Sequence, residues 1–158
     1  MREAMSEQKQ KQKQKQKQIV AIASDHGGYE IKTALKEELS SLGYAALDLG
    51  TYGPDSVDYP DFAHALADAV TQGKARCGVL ICGSGIGVSI TANRHFGIRA
   101  ALCHNAETAR LSRQHNDANV LAMGGRIISM DVARECLRVF LETEFEGGRH
   151  ARRIAKIG

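Results

Sequence analysis

The stretch 82–88 holds the residues whose types and spacing most directly suggest chemistry. Glycines stand at alternate positions, 83, 85 and 87, after an apolar run and at the start of a predicted helix. Uncovered N–H groups at a helix N-terminus bind anions through aligned dipoles and free donors. Cys82 stands at the entrance, where the same dipole would stabilise its thiolate and make it a usable proton acceptor. The stretch therefore joins a candidate anion site to a candidate base.

Two common phosphate-binding motifs do not match this stretch. The dinucleotide fingerprint G-x-G-x-x-G requires glycine or alanine at its last position, where this chain has Val88. A P-loop requires a lysine before its Ser or Thr, and the stretch contains no lysine. A glycine-rich turn that only allows a helix to pack closely remains the structural alternative.

Further candidates come from the general rule that ligands of parallel α/β sheets bind beyond the carboxyl ends of the strands. The rule selects the polar residues that directly follow predicted strands. They are Asp25, His26, Cys82, His104, Asn105 and Arg126. The other cysteines, Cys77, Cys103 and Cys136, are interpreted as small buried hydrophobic residues.

Two more features lie outside the predicted strand ends. Arg149 and Arg153 are four residues apart, so on a helix they would share one face. Two guanidinium groups on one face suit a phosphate, and a solvated basic C-terminal segment is the alternative. His115 ends a predicted helix and is interpreted, on its own, as an ordinary surface residue.

The elements that must position these residues alternate along the chain. Apolar runs predict strands at 19–23, 44–49, 77–81, 98–102 and 119–123. Helical spacing predicts helices at 29–42, 62–70, 85–93, 106–114 and 129–145, with a loop at 51–61. This alternation implies right-handed βαβ units. The predicted fold class is α/β, a Rossmann-like three-layer α/β/α sandwich with a five-stranded parallel sheet.

Composition divides the 158 residues into a Lys/Gln-rich low-complexity extension, 1–18, and one domain, 19–158. The extension holds six basic and two acidic residues, so the net charge of +3 leaves −1 for the domain, which gives no support for nucleic-acid binding. No apolar run is long enough for a membrane span or a signal core. Four cysteines without metal-binding spacing favour reduced thiols. We expect a cytoplasmic protein without a metal site.

Several further motifs, taken together with these residues, resemble one family. They are Ser24-Asp25-His26-Gly27-Gly28, Asp58-Tyr59-Pro60, Ile81-Cys82-Gly83-Ser84-Gly85-Ile86-Gly87, Gly97-Ile98-Arg99-Ala100, the run from Leu111 to Leu121, and Glu146-Gly147-Gly148-Arg149-His150. Residues 19–153 resemble ribose-5-phosphate isomerase type B, within the group that also holds galactose- and allose-6-phosphate isomerases. Several independent motifs in the right order argue against a chance resemblance.

The resemblance implies an aldose–ketose isomerase of the pentose phosphate pathway. Cys82 would move a proton between C1 and C2, and His115 would assist opening of the furanose ring. Asp25 would hold sugar hydroxyls and Asn116 would contact the sugar. Ser84 stands where many members have threonine and keeps the hydroxyl. The enediolate oxygen would be stabilised by the amides of Gly83, Ser84, Gly85, Ile86 and Gly87.

The resemblance also implies where the phosphate binds and how the chains assemble. The phosphate would be held by His26, Arg126, Arg149 and Arg153. Family members are dimers or tetramers with sites shared between subunits, so we expect a homodimer or homotetramer. His104 and Asn105 have no clear role in the family pattern and are assigned to the site periphery. No cofactor is needed, since a proton moved through an enediol requires only a base, an acid and charge stabilisation.

Three alternatives remain open from the sequence. The substrate could be a six-carbon sugar phosphate, allose or galactose 6-phosphate, in place of ribose 5-phosphate. A non-catalytic sugar-phosphate sensor would keep the glycine stretch without turnover, although Cys82 and His115 argue against it. The Lys-Gln extension could tether RNA or a membrane surface, a weaker idea than that of a solvated extension.

Overall fold

A computed structural model describes residues 17–158, so the predicted extension lies outside the described residues except for its last two positions. The centre is a parallel five-stranded sheet of strand order β2-β1-β3-β5-β4. Its strands are β1 (Ile19–Ser24), β2 (Ala45–Asp48), β3 (Cys77–Cys82), β4 (Ala100–Leu102) and β5 (Val120–Gly124). The predicted sheet is confirmed, and β5 lies between β3 and β4.

Helices cover both faces of the sheet. They are α1 (Tyr29–Ser41), α2 (Tyr59–Thr71), α3 (Ile86–Ala92), α4 (Ala106–Gln114), α5 (Met130–Glu142) and α6 (Arg149–Ala155). Alternate residues of a strand point to opposite faces. In β1, Val20 and Ile22 therefore pack with α1, α4 and α5, whereas Ala21 and Ala23 pack with α2 and α3. The predicted three-layer α/β/α architecture is confirmed.

Some predicted boundaries were wrong. The second helix begins at Tyr59 and not at 62, because Pro60 fits the first helical turn, where its missing N–H costs nothing. The helix predicted to reach 145 ends at Glu142, since Thr143 is extended, with ψ 128°. β4 begins at Ala100, two residues later than expected. Apolar periodicity locates an element well but leaves its end residues undetermined.

Within residues 17–158, none of the helices combines the length and the apolar character that a transmembrane segment requires.

Candidate active site

The strand order reverses between β1 and β3, and a cleft opens beyond their carboxyl ends. β2 lies on the far side of β1, whereas β5 and β4 lie beyond β3. Register pairs Ser24 with Ile81, which places Asp25 level with Cys82. The cleft has a volume of about 660 Å³. It is lined by Asp25, Tyr59, Cys82, Gly83, Ser84, Ile86, Gly87, Ile90, Arg126 and Ile127.

Cys82 is the last residue of β3, and its thiol faces the α2/α3 side of the sheet. The side chain is only 4 % exposed, and the Gly85 N–H donates to its Sγ over 3.1 Å. The turn that aims this N–H requires glycine, because Gly85 has φ +77° and a Cβ there would lie 2.7 Å from the Met123 carbonyl carbon.

The glycine stretch offers fewer free amides than the sequence suggested. The Gly85 N–H is taken by the thiol, and the Ile86 N–H donates to Ser84 Oγ over 3.2 Å. The N–H groups of Gly83 and Ser84 donate to no acceptor within the described part of the chain. These two amides, next to the thiol, form the core of a candidate oxyanion site.

Tyr59 is a cleft residue to which sequence reasoning gave no role, although it lies in the quoted Asp58-Tyr59-Pro60 motif. It starts α2, and its ring lies so close to Gly87 that a Cβ there would be 2.6 Å from the ring carbons. Gly87 is therefore needed for close approach of an aromatic wall. Only the family motif indicated Tyr59 in the sequence, because apolar periodicity does not identify a residue that lines a cleft.

Asp25 and Arg126 bring opposite charges to the cleft. Asp25 is 7 % exposed, and its Oδ1 accepts the Gly27 N–H over 2.8 Å, which caps the short 3-10 turn His26–Gly28. The Arg126 backbone N–H donates to Gly83 O over 3.0 Å, and its guanidinium group lies against the Gly83 backbone. One cleft thus offers an acceptor for hydroxyl groups and a cation for an anionic group.

His26 lies on the same edge, directly after Asp25, but outside the set of cleft-lining residues. Its Nδ1 accepts the Val57 N–H over 3.2 Å. That bond fixes the tautomer with hydrogen on Nε2, so the ring presents Nε2–H as a donor. His26 is therefore a pre-oriented donor beside the cleft.

A buried ion pair, which the sequence did not indicate, stabilises the loop next to this edge of the sheet. Lys32 on α1 is 1 % exposed, and its Nζ donates to Asp48 Oδ1 over 2.6 Å and to Thr51 O over 2.5 Å. Gly50 and Thr51 pair in turn with the backbone of Ser24, next to Asp25. Burial alone would raise the pKa of Asp48, but the hydrogen bonds from Lys32 and Lys36 outweigh it and lower that pKa.

Four of the predicted site residues lie away from this cleft. Helix α4 starts after β4 and runs back to the opposite edge of the sheet, so His115 and Asn116 lie beside the beginnings of the strands. There His115 stacks on His150 of α6, with ring centroids 4.3 Å apart and planes 13° apart. Arg149 and Arg153 are exposed on the same helix, α6. A single chain therefore does not bring His115 to Cys82.

His115, Glu146 and His150 are the residues best grouped to hold a metal ion within 17–158. Their ligand atoms lie within 4.8 Å of one another. The two imidazole planes are nearly parallel, however, so their in-plane lone pairs do not converge on one point. The geometry suits a stacked pair of rings better than a chelate.

His104 and Asn105, assigned to the periphery, are not among the residues that line the cleft. Asn105 caps α4, because its Oδ1 accepts the Thr108 N–H over 2.8 Å. The His104 N–H donates to Thr108 Oγ1 over 3.3 Å. Both residues form the start of α4, which follows β4 directly. The rule that selects polar residues after strands therefore included them although their role is structural.

Apolar side chains form the rim of the cleft. Ile86, Ile90 and Ile127 all line it and are 52 %, 56 % and 62 % exposed. Three exposed isoleucines around one polar cleft are unfavourable in water and are typical of a surface that another protein surface covers.

Comparison with known proteins agrees with the geometry. The family described as Ribose/Galactose Isomerase matches residues 20–157. The chain is 41 % identical over 138 residues to ribose-5-phosphate isomerase B of Escherichia coli (87 % of this chain, 93 % of the relative). It is 40 % identical over 141 residues to D-erythrulose-4-phosphate isomerase of Pectobacterium atrosepticum (88 % and 92 %). The solved structure of Clostridium thermocellum ribose-5-phosphate isomerase B superimposes with a TM-score of 0.88 at 50 % identity, over 89 % of this chain and 95 % of that one.

Proposed function

The chain belongs to the Ribose/Galactose Isomerase family, and from this premise we propose that it interconverts D-ribose 5-phosphate and D-ribulose 5-phosphate. The observation that carries the proposal is the Cys82 thiol, buried at a strand end, hydrogen-bonded by Gly85 N–H and open to a cleft that also contains Asp25 and Arg126. A base, a hydroxyl ligand and a cation for the phosphate are the parts that an aldose–ketose isomerisation needs.

In the proposed reaction, Cys82 removes the proton from C2 of the open-chain aldose and returns it to C1. The C1 carbonyl becomes a hydroxyl and the C2 hydroxyl becomes a carbonyl, so no electrons leave the substrate. The negative charge that develops on oxygen in the enediolate is stabilised by the free amides of Gly83 and Ser84. Of the five amides expected from the sequence, those of Gly85 and Ile86 donate to Cys82 Sγ and Ser84 Oγ, and the Gly87 N–H is a third available donor beside Gly83 and Ser84.

We assign the phosphate and the sugar hydroxyls to the groups around this base. Asp25 accepts hydroxyl hydrogens, while His26 Nε2–H and the Arg126 guanidinium contact phosphate oxygens. A guanidinium group suits phosphate because its donors match two oxygens at once.

The remaining residues enter the site from a second copy of the chain. His115, Asn116, Arg149 and Arg153 lie at the other edge of the sheet, and the isoleucine rim of the cleft favours burial by a partner surface. The proposed enzyme is a homodimer or homotetramer in which His115 of one protomer opens the sugar ring bound at Cys82 of another. We assign it to the cytoplasm, because all four cysteines are free thiols.

The central test replaces the base. In Cys82→Ala, we expect kcat to fall by about 100-fold or more, because general bases contribute on that scale. Exchange of the C1 hydrogen of ribulose 5-phosphate in deuterium oxide should fall with it. Cys77→Ala, a buried cysteine of the same strand, is the matched control and should keep kcat. Near-normal turnover in a folded Cys82→Ala protein would contradict the assigned role.

A substrate panel tests the sugar. We expect the highest kcat/KM for ribose 5-phosphate, above allose 6-phosphate, galactose 6-phosphate and D-erythrulose 4-phosphate, the last included because a relative is named for it. A higher value for another sugar would move the proposal to that substrate. Tight calorimetric binding of all four without turnover would support a sensor.

A further inference from the structure

A second polar cavity lies at the edge of the sheet opposite to the catalytic cleft. It has a volume of about 240 Å³ and shares no residue with that cleft. Arg76 precedes β3, Arg99 precedes β4, and Arg113 lies in the last turn of α4. All three line the cavity together with Asp117. The topology thus gathers three guanidinium groups around one small space.

Charge in this cavity is unbalanced. Asp117 is its one acidic lining residue, and it is shared by Arg99 Nη2 at 3.3 Å and Arg113 Nη1 at 2.8 Å. Arg76 has no acidic partner within the described part of the chain, and its Nη1 donates to the neutral Gln18 side chain. The lining therefore carries a net charge of about +2, on a domain whose own net charge is −1.

Donors remain free after the internal contacts are made. Arg99 uses Nε and Nη2 for the backbone and side chain of the turn at Asn116 and Asp117. Arg113 uses Nε and Nη1. Among residues 17–158, Arg99 Nη1, Arg113 Nη2 and the Nε and Nη2 of Arg76 have no acceptor. Each arginine thus keeps at least one hydrogen-bonding nitrogen for a ligand.

The remaining titratable group in the lining adds no compensating charge. Burial raises the pKa of the Cys77 thiol to about 11, although Arg76 and Arg113 act in the opposite direction. Cys77 is therefore neutral at physiological pH and leaves the guanidinium groups as the dominant charges.

We propose that this cavity binds a compact oxyanion with two or more negative charges, held by Arg76, Arg99 and Arg113. Guanidinium groups match phosphate and carboxylate oxygens in pairs, and their charge persists at every physiological pH. The cavity shares no residue with the cleft around Cys82 of the same chain, and binding of an anion there goes beyond the isomerase activity. Its ligand would contact the two arginines that also hold the turn directly after His115 and Asn116.

Calorimetry with inorganic pyrophosphate tests the site in the full-length chain. Arg126→Ala serves as background, because Arg126 is the exposed cation of the catalytic cleft and its removal weakens anion binding there. Adding Arg76→Gln should raise Kd by about tenfold or more, the scale of a lost charged hydrogen bond. Lys74→Gln is the matched control, since it removes one charge from the same surface without touching the cavity.

The outcomes separate a built site from a diffuse basic surface. Saturable binding that Arg76→Gln weakens and Lys74→Gln leaves unchanged supports the proposal. Equal weakening by both substitutions, or no saturable binding, overturns it. Citrate titrated in the same way distinguishes a carboxylate ligand from a phosphate ligand. Isomerase activity of Arg76→Gln without added anion should be unchanged, so failure of this proposal is distinct from failure of the proposed function.

Discussion

Single residues acquire their chemistry here from the groups that contact them. All four cysteines are buried, and burial raises the pKa of Cys77 and of Cys136 to about 11. Cys82 differs from Cys77 and Cys136 in its contacts and position, because the Gly85 N–H donates to its sulfur and it lines the cleft. In the sequence, its position at the end of a predicted strand was enough to select Cys82 as the candidate base. The donor on Gly85 was not predictable, because it depends on a left-handed turn whose direction the one-dimensional pattern does not encode.

The stack of His115 on His150 leads to a prediction about ring opening. His150→Ala should lower kcat for ribose 5-phosphate by about tenfold, because His115 loses the flat surface that fixes its orientation. His150→Phe keeps a flat ring and should retain most of the activity. Deuterium exchange at C1 of ribulose 5-phosphate, which needs no ring opening, should be nearly normal in both variants. Equal loss of both activities would contradict a role in positioning His115.

The same stack predicts a dependence of stability on pH. Burial, followed by the charges of Arg149 and His115, lowers the pKa of His150 below its ordinary 6.5. The unfolded chain then binds more protons than the folded one just below pH 6.5, so this contribution to stability is complete above 6.5 and is lost as the pH falls below it. Urea unfolding from pH 8 to 5 should show a smaller decline in His150→Phe than in the unmodified protein. Identical declines would remove His150 as the cause.

At the scale of elements, the turn from β3 into α3 and the contact of α1 with the loop after β2 determine the shape of the cleft. The predicted bounds of α1 and α3 were correct to within one residue at each end, and for α1 the prediction rested on the spacing of its buried apolar residues. The loop after β2 was predicted correctly as irregular. The hydrogen bond from Lys32 to Thr51 O, which holds this loop, was not predicted. A lysine on an otherwise apolar helix face is indistinguishable in sequence from one at a solvent boundary.

Glycine substitutions test the turn. Gly85→Ala should destabilise the fold by about 3 kcal/mol or more, because a left-handed backbone and contacts with β5 both oppose a Cβ. Gly43 is a matched control, with φ +88° and no atom within 4 Å of an added Cβ. Gly43→Ala should therefore cost only about 1 kcal/mol. Urea unfolding measures both, and equal costs would show that crowding at Gly85 is unimportant.

Lysine substitutions test the anchor. Lys32→Met should cost about 3–5 kcal/mol, because it leaves Asp48 without its buried partner. Lys36 contacts the same carboxylate but is 42 % exposed, so Lys36→Met should cost about 1 kcal/mol or less. Denaturant midpoints provide the comparison. KM for ribose 5-phosphate should rise in Lys32→Met alone, since only Lys32 also donates to Thr51 O, in the loop segment that pairs with Ser24 next to Asp25. A similar rise in Lys36→Met would contradict this role of Lys32.

For the whole molecule, the candidate site residues are divided between two opposite edges of one sheet, and this division is the reason to propose a site shared between two chains. The sequence predicted the fold class, the parallel sheet and a ligand site beyond the carboxyl ends of its strands, without identifying which two strands border the cleft. It did not predict that β5 lies between β3 and β4, because strand order is determined by packing of whole βαβ units. The separation of His115 from Cys82 also requires the three-dimensional path of α4.

Mixing two inactive variants tests whether the site is shared. Cys82→Ala and His115→Asn should each be nearly inactive alone. After co-refolding, hybrid dimers contain one site with both native residues, so random assortment should restore about a quarter of native activity. Ribulose 5-phosphate formation measures the recovery, and two co-refolded samples of the same variant provide the control. Absence of recovery, with hybrids verified by mass spectrometry, would contradict sharing.

The insertion of β5 between β3 and β4 also has a consequence during translation. β4 pairs with β5 alone, yet β4 is synthesised first. At ribosomal elongation rates, the interval between Leu102 and Val120 lasts roughly one to four seconds. The same delay separates the emergence of β4 and β5 from the ribosome, and during it the open edge of β3 and the unpaired β4 can pair with another chain. The strand order therefore leaves two strand edges open to mispairing before synthesis of the chain is complete.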